Sequence, residues 1–323
     1  MTDQPGSNSN AALLQKLGGI IFMGTPEFAV ASLQKMVEAG CNIAAVVTAP
    51  DKPAGRGMEL QQSAVKKYAL EKGLKVLQPE KLKSPEFIEA LHSLNARLQV
   101  VVAFRMLPEV VWNMPALGTI NVHGSLLPQY RGAAPINWAI INGEKFTGVT
   151  TFKLQHEIDT GNILLQEKIA IRDDETAGEL HDEMKEVGAD LLVKTLTGIA
   201  SNDIAEVPQS QTPDSGAWKH APKIFNETCT INWQHTTNDI YNLIRGLSPY
   251  PAAFTTLYGK KLKIFRAEKE NRNNSAETGS VETDGKTYLR FACLDGYIRI
   301  TELQLEGKKK MKVEDFLRGY RFP

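Results

Sequence analysis

Residues 119–135 read TINVHGSLLPQYRGAAP: a short apolar run that ends on a polar pair and then breaks into glycine, proline and arginine. Side chains two residues apart in a strand point to the same face. Asn121 and His123 therefore stand side by side where a strand Thr119–His123 stops. An amide and an imidazole placed this way can both bond one oxygen. A structural histidine at a strand end is the competing reading, and the rest of the chain has to weigh against it.

Working outward, the N-terminal part alternates strand and helix signals. Gly19 to Met23 reads as a buried strand, followed by Thr25-Pro26-Glu27 as cap, first helical proline and early acid, with Gly40 as the stop. Strands are expected at Asn42 to Thr48, Lys75 to Leu77 and Leu98 to Phe104, and helices at Ser63 to Gly73 and from Ser84-Pro85. After Thr119–His123 come a helix over Ala134 to Ile141 and a strand pair, Val149 to Leu154 and Ile163 to Ile171, around the turn Asp159-Thr160-Gly161-Asn162. Thr176 and Glu179 form a capping box for a helix reaching Ile199. Repeated βα units of this kind predict an α/β fold: an open, mostly parallel, Rossmann-like sheet with helices on both faces, binding ligands at the carboxyl ends of its strands.

Residues 205–221, rich in Pro, Gln, Ser and Thr, read as a linker. Beyond it lie a helix over Thr237 to Leu247 and short alternating stretches at Ala253 to Leu257, Lys261 to Ala267, Tyr288 to Ala292 and Tyr297 to Leu303, which suggest a small OB-like β-barrel. The expected division is a disordered tail at 1–18, a catalytic domain at 19–204, the linker, and a barrel at 222–323.

Of the 323 residues, 42% are hydrophobic and 23% charged, so the bulk of the chain is expected to fold. No apolar run reaches the roughly 20 residues that span a bilayer, and MTDQPGSNSN has no secretory pattern, so a cytoplasmic protein without a membrane partner is expected. Cys41, Cys229 and Cys293 offer neither a disulfide framework nor zinc spacing. Net charge is zero, but residues 222–323 carry 17 Lys+Arg against 12 Asp+Glu, which tilts that part toward a polyanion.

FMGTPEF has one glycine where a dinucleotide fingerprint has three, and no Walker lysine follows; there is no GxSxG and no metal-ligand cluster. What remains is Asn121, His123 and a carboxylate, for which Asp159 is the best candidate. A carboxylate fixes a histidine's tautomer, and an amide beside the ring can stabilise an oxygen that turns negative. No Ser or Cys nucleophile is needed if the substrate brings its own amine, so the set suits acyl transfer between two ligands.

These residues resemble a known family. NVHGSLLPQYRGAAPINWAIINGEKFTGVT (121–150), with the later DTG (159–161), closely resembles the signature region of the 10-formyltetrahydrofolate-dependent formyltransferases. FMGTPEFAVASL (22–33) and APDKPAGRG (49–57) resemble the branch that acts on initiator methionyl-tRNA, and the likeness continues more weakly into SPYPAAFTT (248–256) and GKKLKI (259–264). The resemblance implies that a formyl group passes from 10-formyltetrahydrofolate to the α-amine of methionine on the tRNA, with no metal; a monomer is expected. Asn121 and protonated His123 would then stabilise the oxyanion, and Asp159 would hold His123 and help move the proton. The resemblance also implies that Ser125, Leu126, Leu127 and Pro128, with Leu107 and Pro108, bound the folate. Arg56 and Lys52 would meet the tRNA acceptor end, and Lys260, Lys261, Lys263, Lys308, Lys309, Lys310 and Lys312 its body. The chain departs from the common pattern at Phe104-Arg105, at Met58-Glu59-Leu60 after the PAGRG loop, and at Gln129. Formyl transfer to an amino-sugar nucleotide, hydrolysis of the formyl folate, and a nucleic-acid-binding module with a decayed site are the alternatives.

Overall fold

A computed structural model describes residues 7–54, 59–212, 217–270 and 275–322. The strands, in chain order, are β1 (Ile20–Gly24), β2 (Ile43–Val47), β3 (Lys52–Ala54), β4 (Glu59–Gln61), β5 (Val76–Leu77), β6 (Leu98–Val102), β7 (Thr119–His123), β8 (Arg131–Gly132), β9 (Phe146–Lys153) and β10 (Ile163–Ala170). They are followed by β11 (His220–Ala221), β12 (Ala253–Leu257), β13 (Lys260–Glu270), β14 (Val281–Thr283), β15 (Leu289–Cys293), β16 (Gly296–Leu305) and β17 (Met311–Lys312). By compactness the chain divides into two units: Met1–Arg131 with Gly148–Ile169 and Asp182–Lys219, and Gly132–Thr147 with Ala170–His181 and His220–Pro323.

The N-terminal unit is built on a seven-stranded sheet of order β10-β9-β7-β6-β1-β2-β5. β2, β1, β6 and β7 run parallel, and β9 returns antiparallel to β7. Every residue of β1 and β6 is buried, which is why both read as unbroken apolar runs. After β1 the chain moves to β2 and β5, then crosses back to β6 and β7, so strand order reverses between β1 and β6. Ligands of such sheets bind beyond the carboxyl ends at that reversal. At the reversal the chain leaves β1 through Thr25-Pro26 and β6 through Ala103 to Pro108, and the next strand, β7, ends in Gly124 to Pro128.

Local signals set most element ends. Ser63 and Ser84 accept the Lys66 and Phe87 backbone N–H groups at 3.0 and 3.3 Å, capping the helices Ala64–Glu71 and Pro85–Ser93. The capping box forms as expected: Thr176 N–H bonds Glu179 Oε2 at 2.9 Å, and Glu179 N–H bonds Thr176 Oγ1 at 3.3 Å. Three expectations are corrected. The tail is helical from Ser7 to Leu14 and turns once more to Leu17, because Leu14 and Leu17 bury themselves completely or nearly so. Pro26, rather than Thr25, occupies the N-cap of the helix Glu27–Glu38, and no side chain caps it. The strand after Leu98 ends at Val102, since Ala103 turns to φ +47°.

The C-terminal unit carries an antiparallel sheet of order β12-β13-β16-β15-β14, with β17 on β16. Its alternating side chains pack on the helices Thr237–Leu247 and Val313–Gly319, with Ile240, Ile244, Leu262, Ile264, Ile298, Ile300 and Phe316 in the core. The β13/β16 register shifts at Arg266, and a bulge there adds twist, curling the sheet into the barrel-like form read from its short strands.

Candidate active site

The core of the site is β7. Asn121 pairs with Val101 on one side and Phe152 on the other, and His123 pairs with Thr150. The Asn121 amide is half-buried and bonds no described residue. His123 is 7% exposed, so its ring is held by protein rather than water. Its Nε2–H donates to the Tyr130 carbonyl at 2.9 Å, because a carbonyl can only accept. Nδ1 is thereby the ring nitrogen turned to Asp159, whose Oδ2 lies 3.8 Å away. That distance is past hydrogen-bond length, so the pair faces each other without a direct bond. Phe152 meets the imidazole edge-on, with ring centres 6.4 Å apart.

Backbone strain gathers here. Ala103, Tyr130 and Asp159 hold left-handed φ values of +47°, +60° and +55°, an uncommon conformation for residues with side chains. Such outliers persist where surrounding structure over-determines them. The anchors are visible. Tyr130 N–H donates to the Lys219 carbonyl at 2.7 Å. The carbonyls of Asp159 and Gly161 both accept from Gln209 Nε2 at 2.8 Å. Gln209 Oε1 accepts in turn from Arg131 Nε at 3.0 Å and Nη2 at 2.5 Å, and the Arg131 guanidinium lies over the Trp218 ring. Burial pushes the Arg131 guanidinium below its ordinary value, opposed by the negative charges of Asp159 and Glu157.

The loop after His123 is held from below. The Thr150 hydroxyl donates to the Ser125 carbonyl at 2.6 Å and accepts from Leu127 N–H at 3.1 Å and Gln166 Nε2 at 2.9 Å. Gln166 Nε2 also reaches the Leu127 carbonyl at 2.9 Å. Ser125 is fully buried and spends its hydroxyl on Gln129 O, while the Leu127 side chain joins Phe152 and Ile163 in a core cluster. Leu107 likewise packs with Ile21, Met23, Val101 and Val111. Pro128 is buried; Leu126 and Pro108 keep part of their surface open. Thr150 is a single buried hydroxyl with three partners. Thr150→Val is expected to destabilise the chain by about 2–4 kcal/mol in denaturant titration, since each stranded buried polar group costs about 1–3 kcal/mol. Thr150→Ser, which keeps the hydroxyl, should recover most of it; a neutral Val variant would contradict this reading of the loop.

The structure thus brings Asn121, His123 and Asp159 together. Arg56 lies outside the described residues, and Lys52 is exposed on β3. In the C-terminal unit, Leu262 on β13 faces Leu305 on β16, so Lys260, Lys261 and Lys263 share one end of the sheet with Lys308, Lys309 and Lys310. Lys261 covers the Phe254 ring, Lys263 bonds the Pro251 carbonyl at 3.3 Å, and Lys310 pairs with Glu302 at 2.6 Å. Lys260, Lys308, Lys309 and Lys312 are exposed with no ion pair among the described residues. A separate cavity of about 230 Å³ in this unit, bounded by Tyr241, Phe265 and two arginines, contains none of the candidate residues. Its two arginines are answered internally, Arg266 by Glu179 and Arg245 by the Arg172 and Glu175 carbonyls.

The sequence alone does not single out Tyr130, Thr150, Gln166 or Gln209, and residues 205–221 read in it as a linker. Val207 in fact exchanges both backbone hydrogen bonds with Ile163, at 2.8 and 2.9 Å. Pro208 and Pro213 around Gln209 carried the linker signal, and a buried glutamine has no local mark.

The family model described as Formyl transferase matches residues 19–196, and Formyl transferase, C-terminal domain, matches residues 223–321. The chain belongs to the formyl transferase family. This formyltransferase is 54% identical over 309 residues to a protein of Phocaeicola vulgatus named methionyl-tRNA formyltransferase, covering 94% of the chain and 95% of that relative. A protein of the same name from Bacteroides fragilis is 52% identical over 306 residues, covering 93% and 94%. Among solved structures, WlaRD, a sugar 3N-formyl transferase crystallised with dTDP and 5-N-formyl-THF, superposes with a TM-score of 0.65 at 22% identity, covering 91% of this chain and 99% of that one; at that identity the likeness speaks for the fold.

Proposed function

We propose that this enzyme moves a formyl group from 10-formyltetrahydrofolate to the α-amine of methionyl-tRNA, with Asn121, His123 and Asp159 as its chemical residues. The observation that carries the chemistry is the His123 ring, tied at Nε2 to Tyr130 and open at Nδ1 toward Asp159. The folate is a co-substrate that supplies an activated formyl carbon. The Asn121 amide, which bonds no described residue, supplies a donor for the formyl oxygen as it gains negative charge, and His123 supplies a second when protonated at Nδ1, since its Nε2–H is spent on Tyr130. Because Nδ1 and Oδ2 stand 3.8 Å apart, a proton passing between them would travel through a third group such as water. The proton leaves the amine for this pair and returns to the departing folate nitrogen. No other ionisable groups are required.

The surroundings fit a flat heterocycle. Ala103 to Pro108 leaves β6 at the strand-order reversal and Gly124 to Pro128 leaves the adjacent β7, and Thr150 and Gln166 fix the second of them so that its backbone is pre-shaped. Support for tRNA over an amino sugar comes from the full-length similarity to the two relatives and from the lysines gathered at one end of the C-terminal sheet. Arg56 and Lys52 would meet the acceptor end. On this reading the chain acts in the cytoplasm, in line with its three buried free cysteines, and is taken as a monomer. The chemistry belongs to the N-terminal part, with residues 205–219 anchored to it through Val207, Gln209 and Lys219, and RNA binding to 222–323. The test is formyl transfer from the folate to charged initiator tRNA, run beside an amino-sugar nucleotide and water as acceptors. Transfer to the tRNA should dominate; preference for the sugar, or release of formate alone, would overturn the reading.

A further inference from the structure

The stretch that reads as a linker is stitched to the backbone that carries two of the three candidate catalytic residues, His123 and Asp159. Lys219 holds the Tyr130 peptide whose carbonyl orients His123. Gln209 holds the turn that presents Asp159, and the same amide reaches Arg131, the residue after Tyr130. Gln209 is 3% exposed, and its amide is spent on partners 48 to 78 residues away in sequence. A buried polar side chain with every bond directed at site-bearing segments is costly to place unless all partners are met. Its geometry also answers a specific need. Asp159 must keep φ at +55°, and a bond to its own carbonyl, shared with the carbonyl two residues on, closes the turn in that form.

We infer that Gln209 is a positioning residue for formyl transfer: it fixes the Asp159 turn against the Tyr130-Arg131 segment and so sets the carboxylate's place opposite His123 Nδ1. This rests on the assignment of Asp159 made above. Gln209 touches no reacting atom, so its effect passes through Asp159.

The test compares Gln209→Leu and Gln209→Glu in the full-length enzyme, each alone and combined with Asp159→Asn. The carboxylate introduced by Gln209→Glu keeps an oxygen for Arg131 but loses the N–H donors to the two carbonyls; its near-identical shape leaves no cavity, and a melting curve reads the stability cost of the stranded carbonyls. Both single variants should lower kcat by about 10–100-fold, the range seen when supporting partners of active groups are removed, with KM for folate and for tRNA little changed. In the Asp159→Asn background either substitution should lower kcat by less than about twofold, since residues acting as a unit are not additive. A merely structural glutamine would give the same loss in both backgrounds, and that result would overturn the proposal. So would full activity of Gln209→Glu, even if Gln209→Leu failed to fold. An inactive parent enzyme would remove the formyl-transfer reading and this inference with it; an active parent with additive losses removes this inference alone.

Discussion

His123→Ala is expected to lower kcat for formyl transfer by about 10³–10⁴-fold, the combined reach of one acid–base group and one donor to a developing oxyanion. The KM for tRNA should hold, because His123 sits at the end of β7 in the N-terminal unit while the free lysines belong to the C-terminal sheet. The fold should survive. The substitution removes one buried hydrogen bond, from Nε2–H to the Tyr130 carbonyl, at a cost of about 1–3 kcal/mol. Single-turnover kinetics with charged tRNA, a filter-binding isotherm and a melting curve together check this. Loss of tRNA binding alongside activity would mark His123 as structural, and retained activity would remove it from the mechanism.

The largest stability effect is expected at Gly161. A Cβ placed there would lie inside van der Waals contact of the Lys153 carbonyl oxygen, with the carbonyl carbon itself only 2.8 Å away. The obstacle is backbone, and it cannot swing aside. Lys153 N–H is also bonded to Asn162 O at 3.0 Å, closing the turn between β9 and β10, and the Gly161 carbonyl carries one of the two Gln209 bonds. Gly161→Ala must therefore open the turn, at a cost of more than about 4 kcal/mol, in the range reserved for overpacking plus broken buried bonds. Activity should fall with it, since Asp159 lies two residues upstream. Gly319→Ala, at a position with no atom within 4 Å of the added carbon, is the matched control and should be neutral or slightly stabilising. Equal stability of the two variants in urea would refute the argument. This is the physical reason for a glycine after Asp-Thr in this turn.

What could be read from the chain in advance follows the range of the forces involved. Ser63, Ser84, Thr176 and Glu179 act on backbone within three residues, and their caps form where the letters place them. The strand period put Asn121 and His123 on one face, and the helix Thr237–Leu247 matches its expected ends. Asp159 could be nominated by its turn, but its 3.8 Å distance from the ring could not. Gln209 and Thr150 were out of reach because the partners that define them lie far along the chain, 23 residues for Thr150 and Leu127 and 78 for Gln209 and Arg131. Nothing local distinguishes a glutamine between two prolines from solvated chain. The helix at Ser7–Leu14 was missed for a related reason: its sequence is polar at first, and what stabilises it is the burial of Leu14 and Leu17 at its far end.

The anchoring of residues 207–219 bears on how the chain can be cut. A fragment ending at residue 204, where composition invites the scissors, would leave out the glutamine behind Asp159, the indole under Arg131 and the carbonyl that receives Tyr130 N–H. Excision of a self-sufficient catalytic half has to follow the wiring instead of the proline content, and carry the chain through Lys219.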